Sequence, residues 1–95
     1  MWQVQIALAL MTTKYWVYIA ECSDGTLYTG GTTELRRRID EHNGVLPGGA
    51  KYTRARRPVK CVYRESCHSR SAAQQRESQI KAMTRKQKTE LVDSC

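Results

Sequence analysis

The most constraining feature of the sequence is an Asp24-Gly25 pair set between two β-rich runs, Lys14 to Glu21 and Thr26 to Thr32. Both runs are β-branched and aromatic in character. An Asp-Gly turn joining such runs predicts an antiparallel hairpin, because so short a connection leaves no room for a crossover. The length of the loop then decides where two tyrosines go. With the loop Ser23-Asp24-Gly25 and Gly25 in the left-handed region, Tyr18 falls opposite Gly30 and shares one sheet face with Tyr28. A two-residue turn shifts the pairing by one and sends the phenols to opposite faces. Either both are ordinary strand tyrosines packed on a helix, or they share chemistry, and shared chemistry requires the odd loop.

After Thr32 the period changes. Leu35 and Ile39 are four apart, Thr33 is placed to cap and Glu34 sits in the first turn, which predicts a helix to about His42, ended by Asn43 and Gly44. Residues 44–58 hold Gly44, Pro47, Gly48, Gly49 and Pro58 and read as a long loop with room for one turn of structure. Val59 to Ser66 has the composition of a third strand. The run Ser71-Ala72-Ala73-Gln74 has the form of a capping box opening a second helix through Met83. Thr84-Arg85-Lys86-Gln87 repeats that form and opens a third, ending near Val92. The order β-β-α-β-α-α predicts an α+β domain over residues 14–92, with a tail over 93–95.

Ninety-five residues hold one modest core and one active site, not two. Residues 1–13 carry a short apolar stretch, Ile6 to Met11, with no basic residue ahead of it. It is too short to span a bilayer and lacks a signal peptide's charged start, so it reads as a flexible extension, or as sequence upstream of a true start at Met11. No membrane association is expected. Cys22, Cys61, Cys67 and Cys95 show no framework spacing and read as reduced thiols in a cytoplasm. A zinc site from Cys61, Cys67 and His68 lacks a CxxC pair and a fourth ligand.

Sixteen Lys and Arg against nine Asp and Glu give a net charge of +7, a surface that attracts polyanions. Part of that charge is concentrated in one loop, where Lys51, Arg54, Arg56 and Arg57 suit phosphate contacts and Tyr52 suits stacking on a base. Arg38 and His42 project from one face of the first helix, four residues apart. Glu77 falls at the edge of the apolar stripe Ala73, Ile80 and Met83 of the second. A carboxylate there either snorkels outward or is held partly buried for a purpose such as binding metal. One carboxylate cannot cage a hard cation, but it can hold Mg²⁺ or Mn²⁺ when waters and phosphate oxygens fill the other positions.

These positions together carry a family resemblance. Trp16-Val17-Tyr18 and Tyr28-Thr29-Gly30 in the hairpin are followed by Arg38 eight residues after Gly30, by His42, and by Glu77 ahead of Ile80-Lys81. Their order resembles the GIY-YIG nuclease domain over about Lys14 to Val92. Gly49-Ala50-Lys51-Tyr52-Thr53-Arg54, Arg57-Pro58 and Arg70-Ser71 resemble its small stand-alone bacterial branch. The resemblance implies a three-stranded antiparallel sheet flanked by helices, with the active site on one sheet face. It further implies that Glu77 holds a single metal ion, Tyr18 or Tyr28 activates or orients the attacking water, Arg38 stabilises charge on phosphorus and His42 assists proton transfer. Gly31 stands where some members have a lysine, and no asparagine follows Glu77.

The leading expectation is therefore an endonuclease that uses one Mg²⁺ or Mn²⁺ ion on nucleic acid, DNA before RNA, single-stranded or branched because so small a domain has little surface for a long duplex. Two alternatives stand beside it: a nucleic-acid-binding module that has lost useful catalysis, and a nuclease subunit that depends on a protein partner.

Overall fold

The computed structural model describes residues 14–94; the extension expected over 1–13 lies outside them. Strands β1 (Tyr15–Glu21), β2 (Leu27–Thr32) and β3 (Lys60–Cys67) form one antiparallel sheet in the order β2-β1-β3. The hairpin has the odd loop. Cys22 N–H donates to the Thr26 carbonyl and Gly25 N–H to the Cys22 carbonyl, each at 2.9 Å, with Gly25 at φ 82°. Asp24 Oδ1 accepts from the Thr26 amide at 3.1 Å and its hydroxyl at 2.6 Å, which closes the turn. Tyr18 consequently pairs with Gly30, and the two phenols share a face.

Among the described residues four helices surround the sheet: α1 (Leu35–His42), the one-turn α2 (Lys51–Arg54) inside the long loop, α3 (Arg70–Lys81) and α4 (Arg85–Asp93). Two expected caps are corrected. Thr33 does not cap α1; Glu34 holds the N-cap position with no side-chain bond of its own, and its amide donates to Thr32 Oγ1 at 3.1 Å. Helix α3 begins before Ser71, because β3 runs on to Cys67 and Ser69 then has the extended backbone an N-cap requires; its hydroxyl accepts from Ala72 N–H at 3.1 Å. The helix ends at Lys81, short of Met83, since the complete capping box of Thr84 and Gln87 opens α4 directly afterwards.

The sheet divides two cores. On one face Val17, Ile19 and Tyr63 pack with Ala73 and Ile80 of α3, bordered by Leu91 and Val92 of α4. On the other, Tyr18, Ala20, Cys22 and Val59 pack with Leu35 and Ile39 of α1. Central β1 is covered on both sides, which is why Val17 to Ala20 carries no charge. A bulge in β3 lets Ile19 pair with Tyr63 and Ala20 with Cys61, so that Tyr63 stays in the first core while Cys61 enters the second. Among the described residues Cys22, Cys61 and Cys67 are free, and no helix is long and apolar enough to cross a membrane.

Candidate active site

Tyr18 and His42 are both fully buried, and the Tyr18 hydroxyl lies 2.6 Å from His42 Nε2. His42 reaches the sheet because α1 delivers it at its last turn, where Asn43, the C-cap, ties the helix end to the residue just before β3: its Oδ1 accepts from Val59 N–H at 2.6 Å and its Nδ2 donates to the Val59 carbonyl at 2.8 Å. The segment from Gly48 onward folds back over the end of α1. Gly49 permits this, since a β-carbon there would stand 2.3 Å from the Glu41 carbonyl oxygen. Thr53, fully buried on α2, places its hydroxyl 3.1 Å from His42 Nδ1.

Burial pushes the Tyr18 phenol well above its ordinary range. The neighbouring Tyr28 and, less strongly, Glu77 add to the rise, and Arg38 opposes it. His42 moves the other way: burial holds its imidazole below its usual value, and the Arg38 cation adds to that effect. Tyr18 therefore rests as a neutral phenol beside a neutral imidazole. Tyr28 lies next to both, 6.4 Å from the Tyr18 ring and edge-on to His42 at 5.1 Å. The Arg38 guanidinium is held by Glu41 Oε1 at 2.6 Å and the Gly48 carbonyl at 2.9 Å.

Glu77 comes from the other side of the sheet. Tyr18, Tyr28, Arg38 and His42 belong to the α1 face, whereas α3 packs on the opposite one. The expectation of a site on a single face is thus corrected: the groups meet across the edge strand, at Gly30 and Gly31. Successive strand residues point to opposite faces, and here both lack a side chain. A β-carbon on Gly30 would stand 2.6 Å from the Tyr18 hydroxyl oxygen, and one on Gly31 would stand 2.7 Å from Glu77 Oε1. Lys81 holds the other carboxylate oxygen at 2.7 Å.

Two clefts that share Thr32 and Thr33 run along this edge. One, of ≈ 330 Å³, lies between Glu77, Arg70 and Gln74; the other, of ≈ 170 Å³, lies against Arg37, Arg38 and Glu41. A larger groove of ≈ 600 Å³ between α1 and β3 holds none of the five candidate catalytic groups. Thr32, Thr33, Gln74 and the exposed Arg70 were not singled out as site residues from the sequence, although Arg70-Ser71 formed part of the family pattern. Arg70 lies two turns before Glu77 on α3, and that spacing was the signal available.

No group of three or more His, Cys, Asp or Glu among the described residues can hold a metal ion. The donor set suits an ion held by one carboxylate, with water and phosphate completing its shell, which is how Mg²⁺ usually binds. Glu77 Oε1 faces the cleft over a glycine, with Oε2 tied to Lys81.

The basic loop separates into two groups. Lys51 and Arg54 extend into solvent. Arg56 and Arg57 hold the loop itself: Arg56 bonds Asp24 at 3.1 Å and the Tyr52 carbonyl at 2.8 Å, and Arg57 Nε donates to the His42 carbonyl at 2.6 Å. Tyr52 is 39% exposed, with the Arg56 guanidinium 4.0 Å from its centroid and the Tyr28 ring stacked at 5.9 Å. The ring expected to stack on a base therefore lies among aromatic and cationic neighbours with part of its surface open.

The model of the GIY-YIG catalytic domain matches residues 14–90. A UPF0213 protein of Desulfotalea psychrophila is 55% identical over 78 residues, covering 82% of this chain and 70% of that protein. One of Haloquadratum walsbyi is 51% identical over 83 residues, covering 87% and 91%. Among solved structures, the solution NMR structure of a UPF0213 protein of Bacillus halodurans aligns with TM-score 0.54 at 41% identity, covering 84% of this chain and 83% of the other. That of an E. faecalis protein aligns with TM-score 0.58 at 40% identity, covering 85% and 84%. With the domain match spanning almost all the described residues, the chain belongs to the GIY-YIG nuclease superfamily, in its small single-domain UPF0213 branch.

Proposed function

We propose that the chain is a metal-dependent endonuclease acting on DNA, single-stranded or branched, with Tyr18, Tyr28, Arg38, His42 and Glu77 as its catalytic groups. The observation that carries this reading is the meeting of the Tyr18–His42 pair and the Glu77 carboxylate across two adjacent glycines of an edge strand. Water attacks phosphorus in line with the departing oxygen. Its proton passes to the Tyr18 oxygen as the phenolic proton passes to His42 Nε2, so that neither group carries a full charge before the P–O bond forms. Arg38 turns from Glu41 and Gly48 to a non-bridging phosphate oxygen, where charge builds as the water oxygen adds to phosphorus, and the departing oxygen leaves with the electron pair of its broken P–O bond and takes a proton from solvent. Tyr28 orients the water beside Tyr18. A divalent ion held by Glu77 would supply charge neutralisation at the phosphate. Arg70 and, farther off, Lys51 and Arg54 bind flanking phosphates.

Cleavage of labelled single-stranded, duplex and flapped DNA, and of RNA, with Mg²⁺ or Mn²⁺ tests this. Glu77→Ala and Arg38→Ala are expected to lose cutting by at least about 10²-fold while binding stays within a few-fold. Absence of metal-dependent cutting, or full cutting by Glu77→Ala, overturns the reading. The complete burial of Tyr18 favours a second one, a nucleic-acid-binding module without catalysis, and retained binding with no cutting of any substrate would select it.

A further inference from the structure

Beyond the residues given catalytic roles, one buried side chain has its hydrogen bonds arranged toward the site. Thr53 belongs to a one-turn helix in a loop, yet it is as fully buried as Ile80 in the core. Its hydroxyl lies 2.9 Å from the Ala50 carbonyl and 3.1 Å from His42 Nδ1. A hydroxyl has one proton to give. The Ala50 carbonyl can only accept, so a hydroxyl that donates to it must accept from Nδ1, and Nδ1 then carries the imidazole proton. The lone pair of a neutral ring is thereby left on Nε2, 2.6 Å from the Tyr18 hydroxyl. The other tautomer fits worse. With Nδ1 as acceptor, either Thr53 turns its proton from the Ala50 carbonyl to the ring or Nδ1 is left with the Ala50 amide at a longer 3.4 Å, and an Nε2–H makes the phenol the acceptor, so that the ring offers no lone pair to the phenolic proton.

We propose that Thr53 is a positioning residue that fixes His42 in its Nδ1–H tautomer, so that Nε2 stands as a ready proton acceptor for Tyr18. This deepens the nuclease reading and rests on it for its catalytic consequence, but the tautomer itself does not depend on that reading. The order of donors runs from Tyr18 to His42 to Thr53 to the Ala50 carbonyl. When Nε2 takes the phenolic proton, the imidazolium keeps its Nδ1–H bond to Thr53 and nothing in the chain reorients. Valine replaces the hydroxyl with a methyl of similar size and keeps the branched shape, which makes it the conservative test of the hydroxyl alone, while serine keeps the hydroxyl and removes the methyl.

The experiment is ¹⁵N NMR of the imidazole in the full chain at pH 7.5, together with cleavage kinetics in Mg²⁺. The wild type is expected to show the Nδ1–H tautomer at His42. Thr53→Val is expected to lose its exclusive population and to lower kcat by roughly 10²-fold, the lower range for a positioned proton acceptor, with KM within about twofold. Thr53→Ser is expected to restore both. The acid limb of the rate should move in Thr53→Val and return in Thr53→Ser, while Tyr18, Tyr28, Arg38, Glu41 and Arg57, the titratable groups around the ring, stay unchanged. An Nε2–H tautomer in the wild type overturns the proposal, as does Thr53→Val with tautomer and kcat unaltered. Should the wild type cut no substrate, the nuclease reading falls while the tautomer still decides the role of Thr53. A Thr53→Val chain that fails to fold leaves the wild-type tautomer and the serine variant as the deciding measurements.

Discussion

Gly31 lies directly beneath the Glu77 carboxylate, so that the strand makes room for the acid by carrying no side chain at that point. The obstructing atom is the far end of a flexible side chain, and Gly31 itself is exposed. Gly31→Ala is therefore expected to displace the carboxylate without unfolding the protein. Stability should change by no more than about 0.5 kcal/mol, as at an ordinary surface position. Metal-dependent cutting should fall by roughly tenfold or more, since small misplacement of a positioned group is costly in rate. Chemical denaturation beside cleavage kinetics separates the two effects.

Gly49 is expected to behave in the opposite way. The atom a β-carbon would meet there is the Glu41 backbone carbonyl at 2.3 Å, which cannot swing aside. Gly49→Ala must move the whole segment that seats Thr53 on His42, and a cost of about 1–3 kcal/mol is expected from overpacking. A urea titration showing wild-type stability would contradict the close approach described for this loop.

How much of this was legible in the sequence differs between elements. The hairpin follows from Asp24-Gly25 and its surroundings, but the choice between a two-residue and a three-residue loop depends on the strand register that the structure supplies, whereas the capping box of Thr84 and Gln87 is as local as its signal. The start of α3 was displaced because Ser69 and Ser71 are chemically equivalent candidates, and the choice between them depends on how far β3 extends. Tyr18, Tyr28, Arg38 and His42 gather on one face, as the family resemblance implied. The arrival of Glu77 from the opposite layer could not be read, since helical periodicity fixes which side of α3 is apolar but not which sheet face receives it. Thr53 was passed over for a related reason: a threonine in a basic, glycine-rich loop gives no local sign that the loop closes on a buried histidine.

Acid should destabilise the fold through His42. Its imidazole is held below the ordinary value first by burial, then by the Arg38 cation, with Arg57 adding and Glu41 opposing. The unfolded chain takes up a proton near pH 6.5 that the native chain resists. The contribution is therefore complete above about pH 6.5 and is lost as the pH falls through the lower native value. Unfolding midpoints between pH 7.5 and 5.5 should decline, and His42→Gln should flatten the decline. A wild-type profile that is level across this range would show that His42 protonates as readily in the native state.

The basic loop yields a contrast between neighbours. Arg54 has its guanidinium in solvent, so Arg54→Ala is expected to weaken nucleic-acid binding, reduce the salt slope by about one and leave stability within about 0.5 kcal/mol. Arg56 is committed to Asp24, Tyr52 and the stacked ring. Arg56→Ala is expected to loosen the loop, with the cation–π contact alone worth about 0.5–1 kcal/mol. Binding isotherms at several salt concentrations and thermal melts distinguish the pair; equal salt slopes for Arg54→Ala and wild type would remove Arg54 from the phosphate contacts.

The two-layer construction of the site also bears on the chain's own synthesis. The phenol, imidazole and guanidinium all lie in the first 42 residues, whereas the carboxylate comes from a helix beginning at Arg70. A nascent chain emerging N-terminus first holds the proton-handling half long before the acid exists to complete it. Under the proposed function such a chain is unarmed until α3 docks, so the order of synthesis acts as a safety catch, and truncated products that retain the whole sheet but end before Glu77 lack the acid that completes the site.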